Sequence, residues 1–424
     1  MKIPENYQTV PSNIEGIIVY APAPEVPEQA EPQTYLCPNC GASVAYDVTA
    51  RGVACEYCGY TRSELGLPVG QDAPEQEFKL DTWNEAEKGW GIIRKELFCS
   101  QCGAVISIPD VAITSTCPFC ASNQVNIRTS TQADLRPKFL MPFQINPENA
   151  KNLSKSWLGK GWYHPKELST RAFIDRIVGI YLPFWTFDSN IHASWKAEVG
   201  YERQKKYFDS GSREWKTRVE IDWRWESNRT ELSVDDLTII GSSHTNKKIL
   251  EKLLPFDMKN LVNYDTVYLA GWQAHSFDVV LPDAWNDAKN SMRASAREAC
   301  YAQIKSPRVR NFSMVADFSE EKWRYVLLPV FMSSYRYEEK IYQLMVNGIS
   351  GTVSGHKPVD WPKVWMVIAL LFIPGLLIGL AGIPLTLLGG IGVFPILLGF
   401  SLMIIAAVIG FGIYQQAAES EPES

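Results

Sequence analysis

The sequence predicts a multidomain chain with two small β zinc ribbons, a β-rich α+β central domain and a C-terminal transmembrane α-helical hairpin. Three observations carry that expectation. Eight of the nine cysteines repeat one spacing, residues 364–416 hold no charged side chain, and the region between alternates apolar and polar residues over long runs. At 424 residues the chain has room for two or three domains and appendages.

Residues 1–34 carry six prolines and several glutamates without apolar periodicity, which predicts a disordered acidic tail. The first cysteine unit, residues 35–62, reads Cys37-x2-Cys40, fourteen residues, then Cys55-x2-Cys58. After a linker over 63–96, whose acidic stretch from Asp72 to Glu87 is expected to be solvated, a second unit covers 97–130. It repeats the spacing: Cys99-x2-Cys102, fourteen residues, Cys117-x2-Cys120. Each Cys-x-x-Cys turns two thiolates toward one point, and two such knuckles complete a tetrahedral site of four sulfurs. Gly41, Gly59 and Gly103 follow the second cysteine of their knuckles, where a positive φ tightens the turn; the fourth knuckle has Ala121 there. Two structural Zn2+ ions are the leading expectation, with iron as the alternative for an all-sulfur set. A disulfide framework needs an oxidising compartment, and Met1 to Tyr20 has no secretory pattern. A redox pair needs one Cys-x-x-Cys opening a helix rather than four flanked by turns. Four thiolates leave the metal no open position, so the expected role is structural. Cys300, the ninth, reads as a core thiol.

Charge is unevenly spread. Residues 1–130 hold 8 Lys and Arg against 16 Asp and Glu, while residues 131–363 hold 33 against 28. The first unit contains only Arg51 against Asp47 and Glu56, which argues against nucleic acid as its partner.

The central region, 131–358, predicts an α+β cytosolic domain. Asn146-Pro147 opens a short helix, and Pro282 opens a longer one to about Ile304 with Trp285, Ala288, Met292, Ala296 and Ala299 along one stripe. From Glu214 to Glu226 the residues alternate: Trp215, Thr217, Val219, Ile221, Trp223 and Trp225 on one face, charges on the other. That predicts a half-buried strand, hairpin-linked through Asp209 to Ser212 to a similar strand over Ile191–Tyr201. A second hairpin is expected from Tyr325–Tyr337 and Lys340–Val346. The aromatic strands are expected mainly in the core, with an exposed platform as the alternative.

The charge-free stretch fits two spans, 364–383 and 393–414, broken at Pro384, Gly389, Gly390 and Gly392, with an acidic tail over 415–424. Trp361, Trp365 and Tyr414 suit the interfacial belt, and Gly375-x3-Gly379 lets a second helix approach. Lys357 and Lys363 precede the hairpin, and its connection has no basic residue. Both termini and both ribbons are therefore expected on the cytoplasmic side of the cell membrane, where thiols stay reduced.

No phosphate loop, HExxH or Gly-x-Ser-x-Gly elbow is present; Gly159-Lys160-Gly161 lacks the upstream glycine and the hydroxyl. The histidines, His164, His192, His244, His275 and His356, are scattered, and the pairs Asp235-Asp236 and Glu338-Glu339 read as solvated. A non-enzymatic chain with no small-molecule substrate is the expectation.

Phe98-Cys-Ser-Gln-Cys-Gly-Ala-Val followed by Cys117-Pro-Phe-Cys resembles a transcription-factor-IIB-type zinc ribbon. Pro142-Phe143-Gln144-Ile145, Gly179-Ile-Tyr-Leu-Pro-Phe-Trp185, Leu254-Pro-Phe-Asp257 and Tyr268-Leu-Ala-Gly271 extend the likeness, as do Tyr335-Arg-Tyr337, Val346-Asn-Gly348 and Val353-Ser-Gly355. Over about 95–415 the chain is similar to a prokaryotic family of zinc-ribbon membrane proteins often labelled primosomal protein N′-like. The helicase motifs of that label are missing, and the unit at Cys37–Cys58 is an addition to the family's simplest form. The resemblance implies a role in recruiting phage-shock-protein-A-like or flotillin-like (SPFH) proteins to the membrane. The expected function is thus a membrane-anchored zinc-binding scaffold for cytosolic proteins. The alternatives are a membrane-tethered nucleic-acid-binding protein of replication or primosome type, and a membrane enzyme whose site leaves no spacing signature.

Overall fold

The computed structural model describes residues 7–10, 19–22, 36–63, 69–70, 73–77, 94–109, 117–120, 122, 124–129, 135–171, 173–211, 214–338, 340–387 and 392–421. Within the expected tail, β1 (Tyr7–Val10) and β2 (Val19–Pro22) pair antiparallel, contrary to a wholly unstructured segment; the rest of 1–34 lies outside the described residues. A separate three-stranded sheet contains β3 (Ala45–Asp47), β4 (Gly52–Ala54) and β5 (Thr61–Arg62). The main, twelve-stranded sheet takes in β6 (Gln76–Glu77), β7 (Arg94–Cys99), β8 (Val105–Pro109), β9 (Val125–Thr129) and β10 (Phe139–Leu140). Helix α1 (Pro147–Leu158) follows as expected, with Asn146 accepting the Asn149 amide and Pro147 in the first turn. After α2 (Leu168–Arg171) come two very long strands, β11 (Phe173–Asp209) and β12 (Glu214–Ile240). The chain continues through α3 (Lys247–Glu251), β13 (Val262–Asn263), β14 (Gln273–His275) and α4 (Leu281–Ala302) to β15 (Val309–Tyr337), β16 (Lys340–Asn347) and β17 (Val353–Gly355).

The frame is the antiparallel ladder of β11 on β15, from Phe173 opposite Arg336 to Val199 opposite Val309. Along the other edge of β15 lie β6, β10 and β16 in turn, and along the other edge of β11 lie β14 and β12. At the root both faces are covered. Ile180, Leu182 and Phe184 point into one core with Val326, Leu328 and Val330; the alternate residues Tyr181, Trp185 and Phe187 point into the other with Tyr325, Leu327 and Phe331. A strand buried on both sides reads as one apolar run, so Ile180–Phe187 shows no alternation. The register then slips at Asp188 in both ladders, a bulge that bends the ribbon.

Beyond that bulge one face remains covered. Ile191, Ala193, Trp195, Ala197 and Val199 are buried, and their alternates His192, Ser194 and Lys196 are exposed. The cover is α4, whose Trp285, Ala288, Met292, Ala296 and Cys300 are buried against the same core. Cys300 is the core thiol its sequence suggested, and Ala299 falls out of the stripe in favour of Cys300.

Past Gly200 no element among the described residues covers either face, which corrects the half-buried reading of Glu214–Glu226. Alternation holds, but Trp215 is 71% and Val219 59% exposed, and Trp225, opposite Glu198 on the face of the exposed Lys196, is 55% exposed. The reason is length. A 22-residue helix covers about 33 Å at 1.5 Å per residue, whereas the 37 residues of β11 run about 120 Å along the strand. The strands outrun the helix, and among the described residues nothing packs over the outer hairpin. Its turn is closed by the Gly211 amide on Asp209 Oδ1 at 3.0 Å.

Two further expectations change. The stretch from Asp72 to Glu87 is not simply solvated: residues 73–77 dock on the sheet through β6, and Glu75 meets Lys322 and Arg324 at 3.0 Å each. Asp236, expected to be solvated, is paired with the buried Arg324.

The chain ends in α5 (Trp361–Leu387) and α6 (Val393–Ala418), longer than the expected 364–383 and 393–414. Helix α5 passes through Pro384 rather than ending there, and residues 388–391 lie outside the described ones. Both helices are long and apolar enough to cross a membrane, with mean hydropathy 2.6. They carry their large side chains outward: Leu377, Leu397, Val408 and Phe394 are each at least 60% exposed, which a soluble core helix would not permit. Gly375 and Gly379 face Gly399, where an added Cβ would sit 2.5 Å from the Gly379 amide nitrogen. The close approach is therefore made within the hairpin. Trp361 and Trp365 cluster with Tyr414 at 5.5 and 6.0 Å. The tail is not free either: Ser420 O accepts the Lys357 amide at 2.7 Å and Glu421 accepts the Val359 amide at 3.2 Å.

Candidate metal centres

The eight paired cysteines converge in two groups of four, Cys37, Cys40, Cys55, Cys58 and Cys99, Cys102, Cys117, Cys120. Three of the four knuckles close the same way, and in the fourth the Cys117 amide donates to Ser122 O at 2.8 Å. The amide of Cys37 donates to Ala42 O and that of Gly41 to Cys37 O, at 2.7 and 2.8 Å; Cys55, Gly59 and Tyr60, then Cys99, Gly103 and Ala104, repeat the ring. Gly41, Gly59 and Gly103 have φ of 71°, 71° and 77°, the left-handed region the turn demands. Ala121 lies outside the described residues.

The sulfurs pair identically in the two groups. Cys37 lies 3.4 Å from Cys58 and Cys40 3.5 Å from Cys55; Cys99 lies 3.6 Å from Cys120 and Cys102 3.8 Å from Cys117. Metal–sulfur bonds of about 2.3 Å in a tetrahedron place sulfurs about 3.8 Å apart, whereas a disulfide needs about 2.05 Å. The donor set thus fits a tetrahedral ion.

Electrostatics point the same way. The Cys58 and Tyr57 amides hold the Cys55 thiol down at about 7. Burial pushes Cys99 up, but the Cys102 and Gln101 amides outweigh it and bring it to about 7. Cys120 is pushed up to about 11 by burial and by its sulfur neighbours. Four thiolates this close repel one another, and a divalent cation at their centre removes the conflict.

The settings differ. In the first group Cys40 and Cys58 are exposed; in the second Cys102 and Cys120 are half-buried, and Cys99 and Cys117 are core residues at 0% and 1% exposure. The first group hangs on the sheet by Tyr46: its amide donates to Ala270 O and its carbonyl accepts Trp272 Nε1, both at 3.0 Å, and its ring meets Tyr268 at 5.3 Å. The second group is woven into the main sheet, because β8 pairs with both β7 and β14.

Sequence spacing missed the groups that brace this second unit. His275 Nδ1 is 2.6 Å from Val105 O, His244 Nε2 is 3.1 Å from Asp278 Oδ2, and the Phe119 ring packs on His275 at 5.0 Å. Gln343 Nε2 donates to Phe119 O. No local pattern links His244, His275 and Gln343 to Cys117-Pro-Phe-Cys120, since the fold alone makes them neighbours. His164 is likewise buried on Pro358 O at 2.9 Å, and His192 is exposed beside Glu231. The carboxylates of Glu75, Asp188 and Asp235 also converge, but Arg324 and Lys322 occupy that cluster.

Lys357, which the sequence offers as a flanking charge, is buried; its Nζ donates to Trp157 O at 2.6 Å and Lys160 O at 2.9 Å. It locks the domain to the root of α5 instead of facing lipid headgroups.

No family model matches the chain, and no solved structure matches it. Over 346 residues it is 28% identical to the uncharacterized protein YdjG of Bacillus subtilis (strain 168), a similarity that spans 78% of this chain and 92% of that protein.

Proposed function

We propose that the chain is a non-enzymatic, membrane-anchored scaffold in which two zinc-stabilised ribbons brace a β domain that docks cytosolic proteins. The free hairpin of β11 and β12 carries the reading. Tyr207, Phe208 and Trp215 are 39%, 51% and 71% exposed at its tip, with Phe208 and Trp215 in edge contact at 5.6 Å. Solvent-facing aromatics at the end of an extended ribbon suit a protein contact. The tip lies at the Asp209–Glu214 end of the strands, while the chain enters α5 from the opposite, Tyr337 end. Partners of the phage-shock-protein-A or SPFH class are the ones the family resemblance implies.

Zinc is the proposed ion, and the cell membrane, with ribbons and termini in the cytoplasm, the proposed location. The orientation rests on reduced thiols rather than on Lys357. Replacing Trp215 with a photo-crosslinking residue in the membrane-embedded full chain should yield discrete protein adducts that Phe208→Ala weakens. Adducts to nucleic acid, or to lipid alone, would sink the docking reading.

A further inference from the structure

A cleft of about 1000 Å3 opens between α3, the β16–β17 edge and the C-terminal end of α6. Its depth relative to the anchor can be read from the helices. The Trp361, Trp365 and Tyr414 cluster suits the interfacial belt. Glu419 lies five residues beyond Tyr414, about 7 Å along a helix axis. The polar layer on one side of a bilayer is about 5–8 Å thick. The cleft, lined by Ala418 and Glu419, therefore opens at headgroup depth.

Its charges are mixed in a specific way. Lys247, Lys248 and Lys252 line one wall, and Glu251, Glu419 and Glu421 also face in. Glu421 is committed, its carboxylate accepting the Val359 amide at 3.2 Å and lying 3.4 Å from Trp361 Nε1. Among the described residues Lys247 pairs with Asp287 at 3.9 Å with both side chains more than half exposed, so that pair is weak. The lysine wall is held in place by Asn246, whose Oδ1 accepts the Ile249 amide and whose Nδ2 meets His356 Nε2 at 3.1 Å. A purely anionic ligand would meet Glu251 and Glu419, and a purely cationic one the lysines.

We propose that this cleft seats the headgroup of a phospholipid bearing both a phosphodiester and a primary ammonium. Lys247 and Lys252 take the phosphate, Glu251 and Glu419 take the ammonium, and the acyl chains run down the exposed side of α6 past Phe411 and Val408. The site rests on the reading of α5 and α6 as a membrane anchor, and the test separates the two.

Full-length protein is reconstituted in vesicles of phosphatidylcholine alone and of equimolar phosphatidylethanolamine, phosphatidylcholine and phosphatidylglycerol. Failure to float with either vesicle overturns the anchor. Given flotation, the lipids retained after mild detergent extraction are counted by native mass spectrometry. Phosphatidylethanolamine should be enriched roughly tenfold over phosphatidylcholine, the ratio one charge-assisted contact produces. The exposed pair Lys247→Ala with Lys252→Ala should return retention to the bulk ratio while flotation is unchanged. Glu419→Gln should erase the preference over phosphatidylglycerol. Wild-type enrichment at the bulk ratio, equal retention of phosphatidylglycerol, or displacement by millimolar inorganic phosphate would each overturn the site.

Discussion

The two four-cysteine units share spacing, knuckle hydrogen bonds and sulfur pairing, yet they are different kinds of object. The first is a three-stranded appendage with two exposed cysteines, held to the body chiefly through Tyr46. The second contributes its strands to the main sheet and two of its sulfurs to the core. One motif therefore serves once as a self-contained fold and once as a cornerstone. What distinguishes them is not the metal chemistry but what lies beside each sulfur.

The largest effect should fall on the second unit. Cys99→Ser or Cys117→Ser removes a metal-site contribution of order 10 kcal/mol and leaves a buried hydroxyl among Leu97, Ile106 and Phe119. Proteolysis should then cut throughout 94–355, and the body should lose its cooperative thermal transition. Cys40→Ser, at an exposed sulfur of the first unit, should lower metal from two equivalents to one by elemental analysis and confine new cleavage to 36–63. Loss of the whole body from Cys40→Ser would erase the distinction.

Tyr46→Ala, which removes the ring packed on Tyr268 and keeps both backbone bonds, tests the tie between the first unit and the body. It should cost about 3 kcal/mol and expose residues 36–63 to labelling while both metals stay bound. Loss of the first metal would mean that docking, and not the knuckles, holds that unit together.

A smaller effect concerns the segment between the units, clamped where Glu75 meets the sheet. Burial, and then the hydrogen bond shared with Glu75, hold the Asp188 carboxyl up at about 7, against about 3.9 in an unfolded chain. Between these values the folded chain binds a proton that the unfolded chain has released. The resulting stabilisation is complete below about pH 4 and is lost as pH rises through 7. Asp188→Asn should flatten the stability profile between pH 5 and 7 relative to wild type, followed by chemical denaturation. An unchanged difference curve would show that the clamp carries no proton.

Much of this was legible beforehand. The cysteine spacing foretold both sulfur clusters, because a Cys-x-x-Cys turn is a local structure that four or five residues encode. The apolar hairpin and its Gly375–Gly379 approach were equally local, although the partner Gly399 was not foreseen. The alternation at Trp215–Trp225 specifies a strand but not how deeply it is buried. Period two reports two distinct faces, and nothing in a strand's own sequence says whether a helix is long enough to cover one of them. Asp236 and Glu75 differ from their sequence expectation for a related reason: both have the local setting of solvated acids, and Arg324, 88 and 249 residues away in sequence, neutralises them only once β11, β12 and β15 are aligned.

The sequence by itself determined which atoms could hold metal and which segments could lie in lipid, since both follow from short-range spacing and composition. The tertiary structure decided which four-cysteine unit is structural to the whole body, where the aromatic ribbon loses its cover, and where Lys247 and Glu419 come to face one cleft. Those outcomes depend on pairing between residues far apart in the chain, and on the mismatch between the roughly 1.5 Å rise of a helix and the roughly 3.3 Å rise of a strand.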